Sequence, residues 1–187
     1  MDDPYEVLAL VSASSVLAAM ITAVTTQHIE RKKQLRERKL IVAGDFAGGA
    51  MEVLAHLRNY RPTKHQGHRN EQLHMDAELL RRRAEKVNLS LDELRPMRGP
   101  VWLFFPGRSS IEALEHGGSQ TTADWAETVV GLLQDMQDIC DEFWRSVHET
   151  SGEREALERF ATERYRAARS KAWEAVNEFA ATAAKRV

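Results

Sequence analysis

The pattern of hydrophobic and polar positions predicts long helices along most of the chain. Two segments place apolar residues at alternating spacings of four and three, which gathers them on one stripe of a helix. The first stripe consists of Leu73, Ala77, Leu80, Ala84, Val87, Leu91 and Leu94. The second consists of Trp125, Val129, Leu132, Met136, Ile139 and Phe143, widened by Leu133, Cys140 and Trp144. We predict that the first helix ends at Pro96 and that the second begins at Thr121 or Thr122 and ends near residues 151–152.

Two further segments have weaker helical patterns. Before Pro62, apolar residues near a helical period are Leu40, Ile41, Phe46, Val53, Leu54, Leu57 and Tyr60, interrupted by Gly44, Gly48 and Gly49. The glycines mark either a bend or a close helix crossing. From about Glu153 a final helix has the seam Leu157, Ala161, Ala168, Ala172, Val176, Phe179 and Ala183. Four such faces bury one another in an antiparallel helical bundle of about four helices, so the expected fold class is all-α.

Residues 97–108 do not continue the helical period. Gly99-Pro100 and Pro106-Gly107 bracket five large apolar residues, which are Val101, Trp102, Leu103, Phe104 and Phe105. We interpret the segment as a loop on the bundle whose apolar residues either cap the core or contact a partner. Ser109 and Glu112 then have the spacing of a capping box, which predicts a short helix up to residues 117–118.

The N-terminal stretch differs from these amphipathic segments. Residues 7–29 contain no Asp, Glu, Lys or Arg, and His28 is their only titratable side chain. A helix of this length spans about 34 Å, against about 30 Å for the hydrocarbon core of a bilayer. We predict a single transmembrane helix. Because the stretch contains serines and threonines, a buried helix of a soluble protein is an alternative interpretation. Against it, no polar face interrupts the apolar run.

The flanking charges orient this predicted span. Asp2, Asp3 and Glu6 precede it, and basic residues follow it closely: Arg31, Lys32, Lys33, Arg36, Arg38 and Lys39. The positive-inside rule places the N-terminus outside and the C-terminal region in the cytoplasm, as in a single-pass protein of the cell membrane. A secretory signal peptide, the other alternative, has its positive charge before the apolar run. The basic residues should also attract anionic lipid heads, each by about 1 kcal/mol.

We therefore expect three parts. Residues 1–29 form the short outside N-terminus and the transmembrane helix, residues 30–62 a basic juxtamembrane helix, and residues 63–187 a bundle domain that packs with residues 40–62. Small residues every four positions, at Ser15, Ala19 and Ala23, are compatible with a homo-oligomer or simply with an alanine-rich helix.

Composition and charge narrow the class of protein. The chain has 187 residues, 43% of them hydrophobic, and a net charge of −2, which excludes a disordered chain. A single cysteine excludes a disulfide framework and a multi-cysteine zinc site. Residues 31–108 carry 17 basic and 9 acidic residues, whereas residues 109–155 carry 2 and 11. This asymmetry is suited to attraction between neighbouring helices, or to holding the basic part near lipid heads.

Metal-ligand residue types are dense at one place only. His65, His68, Glu71, His74 and Asp76 lie close together, and Glu71 and His74 match half of a di-iron carboxylate signature. The chain has no second Glu-x-x-His. We therefore expect no bound metal and no other cofactor, with a mononuclear site from the three histidines as the alternative.

No catalytic pairing is found elsewhere, and we expect no enzyme activity. Cys140 lies on an apolar stripe and is expected to be a buried, inert thiol. The acidic residues Asp135, Asp138, Asp141 and Glu142 are expected to form a solvated face. Residues 81–83 are a basic triplet flanked by glutamates, which favours ion pairs along the helix over a nucleic-acid site.

The span, the basic exit and residues 98–114 (RGPVWLFFPGRSSIEAL) together resemble small, uncharacterised single-span bacterial membrane proteins with a cytoplasmic helical region. This resemblance implies a class of protein and no catalytic residues. Our leading hypothesis is a membrane-anchored interaction or scaffold module with a cytoplasmic protein partner. The alternatives are a transmitter component of a bacterial signalling or defence system, and an enzyme on a helical scaffold.

Overall fold

The computed structural model describes residues 4–61, 77–106, 120–149 and 154–187. Side chains are described at Met20 and from Thr22 onward, except at a few positions next to the gaps between these ranges. These residues form four α-helices and no strand, as the all-α prediction requires. The helices are α1 (Pro4–Tyr60), α2 (Ala77–Phe104), α3 (Thr122–Glu149) and α4 (Arg154–Ala184). The predicted short helix from Ser109 lies outside the described residues.

The chain divides into two compact units, Met1–Lys39 and Leu40–Val187. In the first unit, the described apolar side chains are exposed, as Met20, Val24 and Ile29 each keep more than three-fifths of their surface open. The second unit has a continuous hydrophobic core to which all four helices contribute.

The core of Leu40–Val187 is built from the predicted stripes. The fully buried side chains include Val87, Leu91 and Leu94 from α2 and Val129, Leu133 and Met136 from α3. On α1, Phe46 stacks at a tilt on Phe179 of α4, with 4.7 Å between the ring centroids. Burial of each such side chain contributes about 1.5–3 kcal/mol to the free energy of folding. The apolar period of the sequence therefore identified most of the packing face of each helix. The exceptions are Leu40 and Ile41 of the predicted α1 face, which are 56% and 61% exposed.

The glycines of α1 do not interrupt it, since the helix continues through all three. At Gly49 an added Cβ would lie 3.1 Å from Leu94 Cδ1 and 3.5 Å from Met97 Sδ, whereas at Gly44 and Gly48 it would meet nothing within 4 Å. Gly49 thus marks a close crossing of α1 and α2, one of the two predicted roles.

The predicted end of the second helix at Pro96 is wrong. Helix α2 continues through Pro96 and Pro100 to Phe104, and Phe105 N–H still donates to the Val101 carbonyl at 2.8 Å. A proline inside a helix removes one backbone hydrogen bond and costs about 3 kcal/mol. Both prolines lie on the exposed side of α2, where water can satisfy the freed carbonyls. Burial of Val101 and Phe105 beyond them offsets the cost.

Helix α3 begins where it was predicted to begin. Thr121 N–H donates to Asp124 Oδ2 at 2.8 Å, and Asp124 N–H donates to Thr121 Oγ1 at 3.2 Å. This reciprocal pair satisfies two backbone donors at the helix start and so forms a capping box, with Asp at the third helical position.

Candidate interaction surface

The five apolar residues predicted to contact a partner occupy the last turn of α2 and the residue after it. The loop interpretation of residues 97–108 is therefore wrong for residues 97–104, which are helical. Helical spacing separates the five by face. Val101 and Phe105 lie in the core at 0% and 1% exposure, Phe104 is half-buried, and Trp102 and Leu103 are 44% and 76% exposed.

Trp102 and Leu103 form an apolar surface at the C-terminal end of α2, here called the Trp102–Leu103 patch. Leu103 is the most exposed large hydrophobic side chain of the described residues. Adjacent exposed residues of this kind are typical of contact sites, because removing their apolar surface from water lowers the free energy.

Polar contacts hold the indole of the patch in place. Trp102 Nε1–H donates to Glu127 Oε1 at 3.3 Å, and Arg98 Nη1 donates to Glu127 Oε2 at 2.6 Å. The Arg98–Glu127 pair is partly exposed, so it contributes at most about 1 kcal/mol. Its consequence is geometric, since Glu127 fixes the polar edge of the ring and leaves apolar surface of the indole exposed.

A buried polar cluster connects α1 with α3, and the sequence did not predict it. Tyr60 Oη donates to Asp141 Oδ1 at 2.6 Å, and Trp144 Nε1–H donates to the Tyr60 carbonyl at 2.9 Å. Burial, followed by the Asp141 carboxylate, raises the pKa of Tyr60 above its ordinary range. The phenol therefore stays neutral and acts as a hydrogen-bond donor. The sequence feature that could have indicated this cluster is the presence of Tyr60 and Trp144, aromatic residues that carry a hydrogen-bonding group, on the apolar faces of two helices.

The acidic residues of α3 divide between two environments. Asp135, Asp138 and Glu142 are exposed, as predicted, and Glu142 pairs with Arg164 Nη1 at 2.9 Å. Asp141 is the exception, because it is half-buried and bound to Tyr60. The expectation of a solvated face is therefore wrong for this one residue.

Cys140 is fully buried, as predicted. Burial, followed by the charge of Asp141, raises the pKa of the thiol above its ordinary value. A thiol that stays protonated is a poor nucleophile, because the thiolate is the reactive form.

The predicted metal-ligand candidates His65, His68 and His74 lie outside the described residues. Within the described ranges, no group of three or more His, Cys, Asp or Glu side chains is arranged to hold a metal ion. Comparison with protein-family models, with characterised proteins and with solved structures found no match.

Proposed function

We propose that the protein is a single-span membrane protein whose cytoplasmic helical bundle binds a protein partner through the Trp102–Leu103 patch. The observation that carries the proposal is the patch itself. It presents two large apolar side chains to solvent, and the hydrogen-bonding edge of its indole already has a partner. Such a surface is suited to apolar contact with a protein and offers no group for catalysis.

The membrane anchor is supported by the N-terminal part of α1. Residues 7–29 are free of acidic and basic side chains, and the described apolar members of this stretch are exposed. Exposed apolar side chains along a helix are favourable in lipid and costly in water. The basic residues that follow support a cytoplasmic location for the remainder of the chain.

A second apolar stretch of the same helix has a different explanation. Among the described residues, the helical stretch Thr22–Tyr60 contains an 18-residue window with a mean hydropathy of 1.4, which is long and apolar enough to cross a membrane. Residues 40–57 of this stretch contain no Lys or Arg and only two acidic residues, Asp45 and Glu52. Phe46, Val53 and Leu57 of this part are fully buried in the protein core. We assign it to the bundle and assign the span to residues 7–29.

The order of contacts between helices supports an antiparallel bundle. Arg83 Nη1 donates to the Asn59 carbonyl at 2.8 Å, and Leu94 approaches Gly49. The residue number thus rises along α2 as it falls along α1. Helices α2 and α3 show the same opposed order, in the pairs Asn88 with Gln137 and Arg98 with Glu127. In this arrangement the Trp102–Leu103 patch lies at the same end of the bundle as Leu40, the first residue of this unit.

Site-directed photocrosslinking in cells tests the patch. A photoreactive amino acid at position 103 should give a crosslink to another protein, and the additional change Trp102→Ser should abolish it. Position 89, which is 61% exposed on the same helix, provides the control and should give no such product. Crosslinking to lipid alone, or equal products from both positions, would contradict the proposed role of the patch.

A matched pair of substitutions separates binding from folding. Trp102→Ser together with Leu103→Ser should abolish the crosslink partner's co-purification and leave stability nearly unchanged, since both side chains are exposed. Val101→Ser, one residue earlier, should destabilise the bundle by about 2–4 kcal/mol because its side chain is fully buried. The anchor is tested separately with a C-terminal reporter that is active only in the cytoplasm.

A further inference from the structure

Helix α4 carries a groove that none of the roles above uses. Arg166, Arg169, Ser170 and Trp173 line it, and its volume is about 330 Å³. Their spacing of three, four and seven residues places them on one helix face. Both arginines are exposed and Trp173 is 48% exposed, so the groove presents two cations, a hydroxyl and an indole to solvent.

Positive charge extends from this groove to the end of α1. Arg58 and Arg61 are exposed there, and both act electrostatically on Tyr165 of α4. Burial raises the pKa of Tyr165, whereas the charges of Arg169, Arg61 and Arg58 oppose the rise. The charges of three guanidinium groups, from α4 and from the end of α1 with the residue after it, therefore all reach Tyr165. We call Arg58, Arg61, Arg166 and Arg169 the arginine face.

The described residues supply no close acidic partner to the arginine face. Within the described ranges, none of its four guanidinium groups has an acidic partner within 4 Å, in contrast to Arg81, Arg82 and Arg164. Arginine side chains that form no ion pair within the protein can form one with a ligand.

Charge elsewhere on the chain limits the size of that ligand. Glu163 and Glu174 are exposed on α4 itself, and the whole chain has a net charge of −2. Nucleic acid carries a negative charge about every 1.7 Å along its axis, and an anionic bilayer is equally extended. Either would meet these acidic groups as well as the arginines. A segment short enough to stay between Glu163 and Glu174, along residues 166–173, meets the arginines and avoids most of this repulsion.

We propose that the arginine face and Trp173 bind a short acidic segment of a partner protein. Its carboxylates pair with the guanidinium groups, which match carboxylate geometry with two parallel hydrogen bonds. An apolar side chain of the segment packs on the exposed indole of Trp173. This site is separate from the Trp102–Leu103 patch and does not require the membrane anchor, so its test is independent of the proposed function.

The test uses the full chain in neutral detergent micelles and fluorescence anisotropy. The probe is a labelled glutamate-rich peptide with a single phenylalanine, and the same peptide with glutamine in place of glutamate is the control. The glutamate peptide should bind at least about tenfold more tightly than the glutamine peptide. Binding should weaken as salt is raised, because exposed charges are screened.

Variants locate the binding. Arg166→Gln with Arg169→Gln should weaken peptide binding by about tenfold or more, and Trp173→Ser should weaken it by a smaller factor. Arg81→Gln with Arg82→Gln removes the same charge from the exposed face of α2 and should change binding less than about threefold. Circular dichroism confirms that both double variants keep their helices.

Three results would overturn the proposal. Equal losses in the two double variants would show that overall charge, and not this site, attracts the peptide. Equal binding of the glutamine peptide would exclude carboxylate recognition. Tighter binding of a single-stranded oligonucleotide or of phosphatidylserine vesicles, lost in the same variant, would assign the site to another class of ligand.

Discussion

Two neighbouring glycines of α1 provide a sharp test of how α1 and α2 pack. Gly48 and Gly49 are adjacent in a helix, so alanine at either position gains about 0.5–1 kcal/mol of intrinsic helix stability. At Gly48 an added Cβ meets nothing within 4 Å. We therefore expect Gly48→Ala to stabilise the protein by that amount.

The same substitution one residue later should have a different result. At Gly49 the added Cβ lies 3.1 Å from Leu94 Cδ1, and Leu94 is fully buried. Overpacking a filled core costs about 1–3 kcal/mol, which exceeds the gain in helix propensity. Met97 Sδ, at 3.5 Å, is in ordinary contact and adds little. Gly49→Ala should therefore be at least about 1 kcal/mol less stable than Gly48→Ala.

Urea unfolding of the fragment of residues 31–187, followed by circular dichroism, measures this difference. The fragment contains the whole unit Leu40–Val187, which has its own core, and we expect it to be soluble and helical. A difference of 1 kcal/mol corresponds to about 2–4 °C in Tm for a domain of this size. Gly44→Ala, also in open space, should behave like Gly48→Ala. Equal stabilisation by all three substitutions would refute the close crossing at Gly49.

Three further predictions concern the core. Leu91→Asp should unfold the fragment because a lone carboxylate in the core costs several kcal/mol, whereas Leu89→Asp, at a 61% exposed position, should leave its urea midpoint nearly unchanged. Cys140 should resist a thiol reagent at pH 8 and react at the rate of a free thiol in urea; fast native reaction would disprove its burial. The free energy of unfolding should fall as the pH rises above 9, by up to about 1.4 kcal/mol per pH unit from Cys140. The reason is that the thiol of the unfolded chain ionises at its ordinary pKa of 9.0, whereas burial keeps the folded thiol protonated. Cys140→Ala should make this alkaline loss shallower, and an identical pH profile would contradict the cause.

The helical stripes were predictable because their cause is local. An apolar side chain every three or four residues can be buried on one side of a helix only, so the pattern specifies both the helix and its inner face. Phe143 and Val176 are buried for this reason. The start of α3 was predictable for a similar reason, because Thr121 and Asp124 satisfy each other within four residues.

The five apolar residues at the end of α2 show where sequence reasoning stopped. Pro96 and Pro100 predict a helix end when only local hydrogen bonding is considered. The structure continues the helix because Val101 and Phe105 reach a core formed by distant segments. Only this continuation separates them from Trp102 and Leu103 and so defines the exposed patch.

The sequence by itself determined the all-α class, the inner faces of the helices and the apolar N-terminal stretch with its asymmetric charges. Each of these depends on neighbours a few residues apart. The tertiary structure alone decided which polar groups meet: Tyr60 with Asp141, and Trp102 and Arg98 with Glu127. These partners are tens of residues apart, and their meeting depends on how helices cross and rotate against one another. No periodicity along the chain encodes that geometry, because it results from packing all the buried faces at once.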